Sequence, residues 1–132
     1  MKFHQDGSRP LQNQIFVFGS NLSGIHGAGA AKAAHQFYSA KWGVAEGFMG
    51  RSYAIPTVQK QIAGSLTLEQ IKPAVRRFLA YAAEHPESEF LVTRIGCVLA
   101  GHKDADIAPM FAEATDNCSL PHNWRPILED TK

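Results

Sequence analysis

Ile15-Phe16-Val17-Phe18 leads into Gly19-Ser20-Asn21-Leu22-Ser23-Gly24-Ile25-His26 and then into Gly27-Ala28-Gly29-Ala30-Ala31. Four apolar residues in succession predict a strand buried on both faces, as in the middle of an α/β sheet. The small residues after it predict a loop that opens an alanine-rich helix from about Gly27 to Ala40. Backbone N–H groups at a helix start lie at the positive end of the helix dipole and can bind a phosphate. This segment therefore predicts a phosphate-binding loop at the end of a buried strand.

A second strand and turn repeat the arrangement later in the chain. Phe90 to Ile95 predicts a strand, and Gly96-Cys97-Val98-Leu99-Ala100-Gly101 follows it without a charged residue. In a parallel sheet both loops leave from the carboxyl edge, where ligands bind at the switch in strand order. Two such loops facing each other can hold the two phosphates of a pyrophosphate. Close packing of small residues at two unrelated turns is the alternative interpretation.

Length, charge and composition limit the classes of protein to which the chain can belong. The 132 residues suit a single domain, residues 1–132, and the net charge of +1 gives no basic excess for nonspecific nucleic-acid binding. No segment approaches the ~18 apolar residues of a membrane span. Cys97 and Cys118 lack metal-ligand spacing, and neither a metal nor a cofactor is predicted. With no signal peptide visible, a reducing cytoplasm is the expected location.

The rest of the chain predicts strands that alternate with helices, which implies a largely parallel sheet covered on both faces. The expected fold is a three-layer α/β/α sandwich with a mostly parallel, mixed central sheet. The further predicted elements are an edge strand near Lys2–His4, a loop over residues 42–50, a strand at Ser52–Pro56 stopped by Pro56, a helix from Thr67 to His85 with a Thr67–Gln70 capping box, a helix from Asp104 or Asp106 to Ala114, and a last strand at Arg125–Leu128.

Several side chains near these loops have two interpretations. Asn21 can fix its loop through an Asx turn or reach a ribose hydroxyl. His26, flanked by small residues, is expected to be exposed, where it contacts a phosphate, acts as a base or is a plain surface histidine. Cys97 is a nucleophile or a buried small residue. The remaining candidates stack on a base or ribose, or else pack in the core: Phe48, Met49 and Tyr53.

The two loops resemble those of macro domains, the ADP-ribose-binding α/β/α modules. Asn21 to Ala31 is similar to the first loop, where an asparagine precedes a glycine-rich helix start. Leu91 to Leu99 is similar to the second phosphate loop of the branch that includes the terminal ADP-ribose glycohydrolases and small phage-type relatives. Gly50 to Thr57 is similar to that branch's middle strand. The resemblance covers about residues 15–115, with the pieces in the family's order.

The chain departs from that branch at its catalytic positions. The branch uses a lysine near the middle loop and an aspartate just after the second phosphate loop. Here Gly47 and Ala100 stand at those places, so no Lys–Asp pair carries over. Val98 replaces a glycine of the second loop. Asp6 is the candidate for the acidic residue that reads the adenine amino group.

The resemblance implies binding of ADP-ribose or a related nucleotide, with residues 43–50 closing over the distal ribose. One alternative is a hydrolase that removes ADP-ribosyl groups from nucleic acid or protein, with His26 or His102 as its base. Another is an accessory protein whose bare loops meet a partner chain. The predicted ligand-binding residues are Gly19, Ser20, Asn21, His26, Gly27, Ala28, Gly29, Gly96, Cys97, Val98, Leu99, Ala100 and Gly101.

Overall fold

The structure, a computed structural model, describes residues 1–26, 29–59, 64–97 and 100–129. Its centre is a six-stranded sheet with the strand order β1-β6-β5-β2-β4-β3. All neighbouring strands are parallel except β3 and β4. In chain order the elements are β1 (Lys2–His4), β2 (Gln14–Asn21), α1 (Gly29–Phe37), β3 (Gly47–Phe48), β4 (Ser52–Val58), α2 (Leu68–Glu84), β5 (Glu89–Val92), α3 (Asp104–Ile107), a 3₁₀ turn (Ala108–Phe111), β6 (Cys118–Pro121), a 3₁₀ turn (His122–Trp124) and α4 (Arg125–Glu129).

The apolar run in β2 is explained by two cores, one on each face of the sheet. Ile15 and Val17 belong to the core under α2, whereas Phe16 and Phe18 belong to the core under α1. Because successive side chains of a strand point to opposite faces, a strand covered on both sides needs apolar residues at every position. The chain is therefore a three-layer α/β/α sandwich with a mostly parallel, mixed sheet, as predicted.

The two outer layers differ in size. Of the described helices, α1 packs on one face, and residues of α2, α3 and α4 contribute to the core on the other. Six strands spaced about 4.8 Å apart are more than twice as wide as a helix of about 10 Å diameter. One nine-residue helix therefore covers only part of its face, and Tyr38, Ala40, Val44 and Met49 also pack there. The candidate site lies beside α1 on this face.

The longest helix begins and ends as its sequence predicts. The Thr67 hydroxyl accepts a hydrogen bond from the Gln70 backbone N–H, and the Gln70 side chain accepts one from the Thr67 backbone N–H. This capping box satisfies two donors that a helix start leaves free. His85 is the C-terminal cap, directly before Pro86.

The predictions for the C-terminal third are wrong in two places. The last strand is Cys118–Pro121, and the segment predicted as a strand, Arg125–Leu128, lies in α4. Pro126 suits this position because the first turn of a helix needs no N–H donor from it. The helix predicted to reach Ala114 ends at Ile107 and continues as a 3₁₀ turn that contains Pro109, whose ring removes one helical hydrogen bond.

Three other boundaries shift. β4 runs through Pro56 to Val58. Because β3 pairs only with Tyr53 and Ala54, β4 has a described neighbouring strand on one side only at Pro56. A proline is tolerated at such an edge position, since its missing N–H is not needed there. β5 ends at Val92 rather than at Ile95. The first helix ends at Phe37 rather than near Ala40. Within the described residues, no helix is both long enough and apolar enough to cross a membrane.

Candidate functional site

A cleft of about 1150 Å³ opens at the carboxyl ends of β2 and β5. These strands are parallel neighbours, with Ile15 opposite Phe90 and Val17 opposite Val92. The loops that follow them therefore leave from the same edge of the sheet, as predicted. Of the predicted ligand residues, those that line the cleft are Gly19, Asn21, Gly29, Gly96 and Ala100.

Two glycines allow the loops to approach each other closely. A Cβ atom on Gly19 would lie 3.0 Å from the Thr57 Oγ1 and 3.7 Å from the Gly96 backbone nitrogen. Gly96 has a φ of +74°, and a Cβ there would lie 3.1 Å from the Ile107 Cδ1. Both positions thus favour glycine for reasons of space, and Gly96 for its backbone conformation as well. The result is main chain without side chains at the floor of the cleft, half-buried at Gly19 and buried at Gly96.

The first loop is held in shape by the Asn21 amide. Its Nδ2 donates to the Ile25 carbonyl at 2.7 Å, and its Oδ1 accepts from the Ile25 backbone N–H at 3.0 Å. The loop-fixing interpretation of Asn21 is therefore confirmed, with donor and acceptor both engaged. Gly24 supports the same turn: its φ is +67°, and an added Cβ would lie 2.4 Å from the Gly43 carbonyl carbon.

The second loop is held by an ion pair between Arg94 and Asp104. Arg94 donates to Asp104 twice, from Nε at 3.1 Å and from Nη2 at 2.6 Å, and Asp104 also accepts from the Trp124 indole N–H at 2.8 Å. These contacts, the bond from Arg94 first, hold the pKa of the Asp104 carboxyl below its ordinary value. Asp6 lies 3.4 Å from Arg94 across the cleft. The sequence shows Arg94 and Asp104 ten residues apart with no signal that they pair.

The prediction that His26 is exposed is wrong. The residue is 1% exposed, its Nε2 donates to the Lys41 carbonyl at 2.8 Å, and its ring meets Phe18 edge-on at 5.4 Å. It is not among the residues that line the cleft. Small neighbours in the sequence are therefore compatible with burial as well as with exposure. The structure therefore supports neither a phosphate contact nor a catalytic role for His26.

The other two reactive candidates hold structure together. The His102 Nε2 donates to the Leu66 carbonyl at 2.7 Å, which ties the second loop to the segment before α2. Burial raises the pKa of the half-buried Cys97 thiol to about 12, and its hydrogen bond to Asp104 adds to the shift. A thiol with this pKa is protonated at neutral pH and is a poor nucleophile. Neither residue lines the cleft.

The 43–50 segment packs away from the cleft instead of covering it. The Ser20 hydroxyl donates to the Ala45 carbonyl, the Gly43 N–H donates to the Gly24 carbonyl at 2.8 Å, and Glu46 pairs with Arg77 of α2. None of residues 43–50 lines the cleft. The structure thus does not place this segment over a bound ribose. The predicted ligand residue Ser20 is buried, and its hydroxyl is hydrogen-bonded within the protein.

None of the three residues considered for stacking lines the cleft. Tyr53 is buried against Phe78, with ring centroids 5.0 Å apart, and Met49 is buried and accepts a hydrogen bond from the Lys41 backbone N–H. The core-packing interpretation holds for these two. Phe48 is 44% exposed and stacks on Tyr81 at 5.6 Å, so it lies at the surface rather than in the core. Gly101 is exposed outside the cleft lining, and Gly27, Ala28, Val98 and Leu99 lie outside the described residues.

The cleft contains residues that the sequence did not single out. His4 is the one of the chain's six histidines that lines it, with its Nδ1 2.8 Å from the Ser119 hydroxyl. Burial lowers the pKa of the His4 imidazole, although nearby Asp6 opposes the shift. Among the described residues of the cleft lining, the carboxylate of Asp6 is accompanied by three arginines: Arg9, Arg51 and Arg94. Their spread over the chain leaves no local motif by which to find them.

Comparison with known proteins supports the fold but does not identify a function. No protein-family model matches the chain, and no curated protein matches its sequence. The chain is similar to a solved structure described as a protein of unknown function from Bacteroides thetaiotaomicron. The two share 14% sequence identity with a TM-score of 0.61, over 91% of this chain and 96% of the other. That likeness agrees with the α/β/α sandwich.

Proposed function

We propose that this chain binds ADP-ribose or a related ADP-ribosyl nucleotide in the cleft. The observation that carries the proposal is that both strand–loop units line one cleft, the first at Gly19, Asn21 and Gly29 and the second at Gly96 and Ala100. Free backbone N–H groups in a loop or at the start of a helix bind phosphate oxygens without the desolvation of a charged side chain. Two such loops side by side suit two linked phosphates.

The charges of the cleft favour an anion. In the part of the cleft that the structure describes, three arginines accompany one carboxylate, and that carboxylate is itself paired with Arg94. Arg94 is held by Asp104, so its guanidinium is fixed beside the second loop rather than free to reach. A diphosphate bound between the loops would gain from this fixed positive charge without ordering a flexible side chain.

The nucleoside would extend from the phosphates toward Asp6. Its carboxylate lies in the cleft beside Arg94 and can accept a hydrogen bond from an exocyclic amino group, the role that the macro-domain resemblance suggests. Phe16 and Leu91 supply an apolar floor. An apolar surface with a few convergent polar groups is the usual form of a small-molecule site.

Hydrolysis of an ADP-ribosyl bond is the second candidate function, and the position of His4 in the cleft favours it. His4 lines the cleft, and burial lowers the pKa of its imidazole, which favours the neutral form that a general base requires. A turnover assay with ADP-ribosylated protein and nucleic acid tests this candidate. Release of ADP-ribose that His4→Ala abolishes would support it, and no release by the parent chain would reject it.

Calorimetric titration with ADP-ribose tests the binding proposal. The informative variant is Ala30→Glu, because Ala30 lines the cleft in the first turn of α1, where a carboxylate suits the helix dipole but opposes a phosphate. Gly29→Glu is harder to interpret, because Gly29 has a φ of +57° and any side chain there strains the backbone as well as adding charge. Gln36→Glu adds the same charge to an exposed position of α1 outside the cleft and serves as the control.

We expect Ala30→Glu to weaken ADP-ribose binding at least about tenfold, the equivalent of about 1.4 kcal/mol, and Gln36→Glu to leave it within about twofold. Equal affinities in the two folded variants would contradict the placement of the phosphates. No binding by the parent chain at millimolar ADP-ribose would contradict the function itself.

A further inference from the structure

A segment without helix or strand forms one wall of the cleft. Residues 5–13, which we call the strap, connect β1 to β2, and their part from Asp6 to Pro10 lines the cleft. The cleft lining also includes Phe16 and Leu91, which belong to the core under α1. The strap therefore crosses the face of the sheet that α1 covers in part, and the cleft lies between the two.

The strap is longer than its path requires. One row of paired residues crosses the sheet from β1 to β2: Lys2, Ser119, Leu91 and Phe16. His4 is therefore level with Phe18, four residues beyond Gln14, the first residue of β2. Three strand spacings of about 4.8 Å and four residues of about 3.3 Å give a direct path of about 20 Å from His4 to Gln14. Ten residue steps of extended chain reach about 33 Å, so the strap can lift without unpairing either strand.

Few polar contacts hold the strap to the rest of the described chain. Its backbone bonds are local, as where the Ser8 N–H donates to the Gln5 carbonyl at 3.0 Å. Among the described contacts of residues 6–13, the one that reaches a distant element is the ion pair of Asp6 with Arg94, at 3.4 Å. The Asp6 side chain is 41% exposed, and a partly exposed pair at this distance is weak and screened by salt. One weak contact thus keeps the strap down.

Arg94 has one edge of its guanidinium left for a ligand, and Asp6 occupies that edge. The Arg94 Nε and Nη2 donate to the Asp104 carboxylate at 3.1 Å and 2.6 Å, whereas Nη1 reaches Asp6 at 3.4 Å. The two-point contact with Asp104 is the stronger of the two. Because Arg94 and Asp6 both line the cleft, an anion that enters beside the second loop competes with Asp6 for Nη1.

We propose that the Asp6–Arg94 pair is an autoinhibitory latch. It holds the strap over the empty cleft, and an anion that binds Arg94 displaces Asp6 and releases the strap. The inference rests on the proposed function for the presence of the anion. It also explains how Asp6 becomes available to the nucleoside, since a carboxylate released from Arg94 is free to accept a hydrogen bond from an amino group.

Nuclear magnetic resonance relaxation of the ¹⁵N-labelled chain tests the latch, with inorganic pyrophosphate as the anion. The test variant is Asp6→Asn, which removes the charge and keeps the size. Asp116→Asn is its matched control, because Asp116 is exposed, lies 4.0 Å from the N-terminal amine of Met1 and is outside the cleft lining. The order parameters of the backbone amides from Gly7 to Arg9 report on the strap, and calorimetry measures pyrophosphate affinity.

We expect a mean order parameter of about 0.8 for these three amides in the parent chain and of less than about 0.6 in Asp6→Asn. Saturating pyrophosphate should lower the parent's value to the same range. Asp6→Asn should bind pyrophosphate about fivefold more tightly than the parent, because no carboxylate competes for Arg94. Asp116→Asn should match the parent in both quantities.

The same mean order parameter in the parent and Asp6→Asn, whether high or low, would overturn the latch. Pyrophosphate that binds the parent and leaves the strap ordered would overturn it too, even with tighter binding by Asp6→Asn, since Asp6 would then act through its charge alone. Failure of pyrophosphate to bind would also overturn the inference. Calorimetry with ADP-ribose on the same proteins decides the proposed function separately, because binding of ADP-ribose leaves that function standing in each of these cases.

Discussion

The two loops have similar small-residue sequences but are held in place by different forces. The first is fixed by uncharged contacts: the Asn21 amide bonds to Ile25, the buried His26 bonds to Lys41, and Gly24 packs on the Gly43 backbone. The second is fixed by the Arg94–Asp104 ion pair and the Trp124 indole. A shared sequence pattern therefore indicates a shared backbone shape, while the stabilising interactions come from side chains elsewhere in the chain.

The largest expected effect is at the first loop. Gly24→Ala would force a Cβ to within 2.4 Å of the Gly43 carbonyl carbon at a φ of +67°, and we expect the free energy of unfolding to fall by about 3 kcal/mol or more. Gly101→Ala in the second loop is the control, since Gly101 has a φ of +80° but no atom within 4 Å of the added Cβ. It should cost about 1–2 kcal/mol, from the backbone conformation alone. Equal costs in urea unfolding would show that the close contact is not real.

The second loop should be sensitive to loss of its carboxylate. Asp104→Ala removes the partner of Arg94 and of the Trp124 indole, and we expect it to lower the free energy of unfolding by about 2–3 kcal/mol. Asp106→Ala, at an exposed residue of the same short helix, should change it by less than about 0.5 kcal/mol. If urea unfolding gives the two variants the same stability, charge does not hold this loop.

Asn21→Ala probes the uncharged anchor of the first loop. It removes two hydrogen bonds to Ile25, and we expect a loss of about 1–2 kcal/mol in thermal unfolding. Asn21→Asp keeps the acceptor but sets a carboxylate oxygen against the Ile25 carbonyl, which Nδ2 contacts at 2.7 Å, so its cost should be at least that of Asn21→Ala. The account would be wrong if Asn21→Ala left both stability and ADP-ribose affinity unchanged.

The smallest expected effect is a difference in acid sensitivity. Because the pKa of Asp104 is lowered by folding, its contribution to stability is present above the unfolded-state pKa of about 3.9 and is lost as pH falls through the folded-state pKa. Asp104→Asn should therefore lose less melting temperature than the parent chain between pH 6 and pH 3. Asn21→Ala should follow the parent. Parallel curves for the parent and Asp104→Asn would contradict the assignment.

Local sequence patterns predicted the elements that are stabilised by a few neighbouring residues or that have a regular spacing of apolar residues. The apolar run at residues 15–18 predicted the central strand, and the spacing of Thr67 and Gln70 predicted the start of α2. The parallel sheet then placed both loops at one edge. These predictions succeeded because burial on two faces and helix capping each leave a signature within a few residues.

Contacts between distant residues were not predictable in this way. The small neighbours of His26 predicted an exposed side chain, yet its ring is buried beside Phe18, a contact with a residue eight positions earlier in the chain. The strand predicted at Arg125 failed because a short apolar run with a proline fits a helix start equally well. The cleft itself depends on α1 covering only part of its face, which no local pattern shows.

A nuclear magnetic resonance titration of the ¹⁵N-labelled chain with ADP-ribose tests the central claim that both loops bind one diphosphate. The backbone amide signals of Gly29 and Ala30 on one side, and of Gly96 on the other, should shift together with a single dissociation constant. Ribose without phosphate should shift neither group. Movement of one loop's signals without the other, or of neither at millimolar ADP-ribose, would contradict the account.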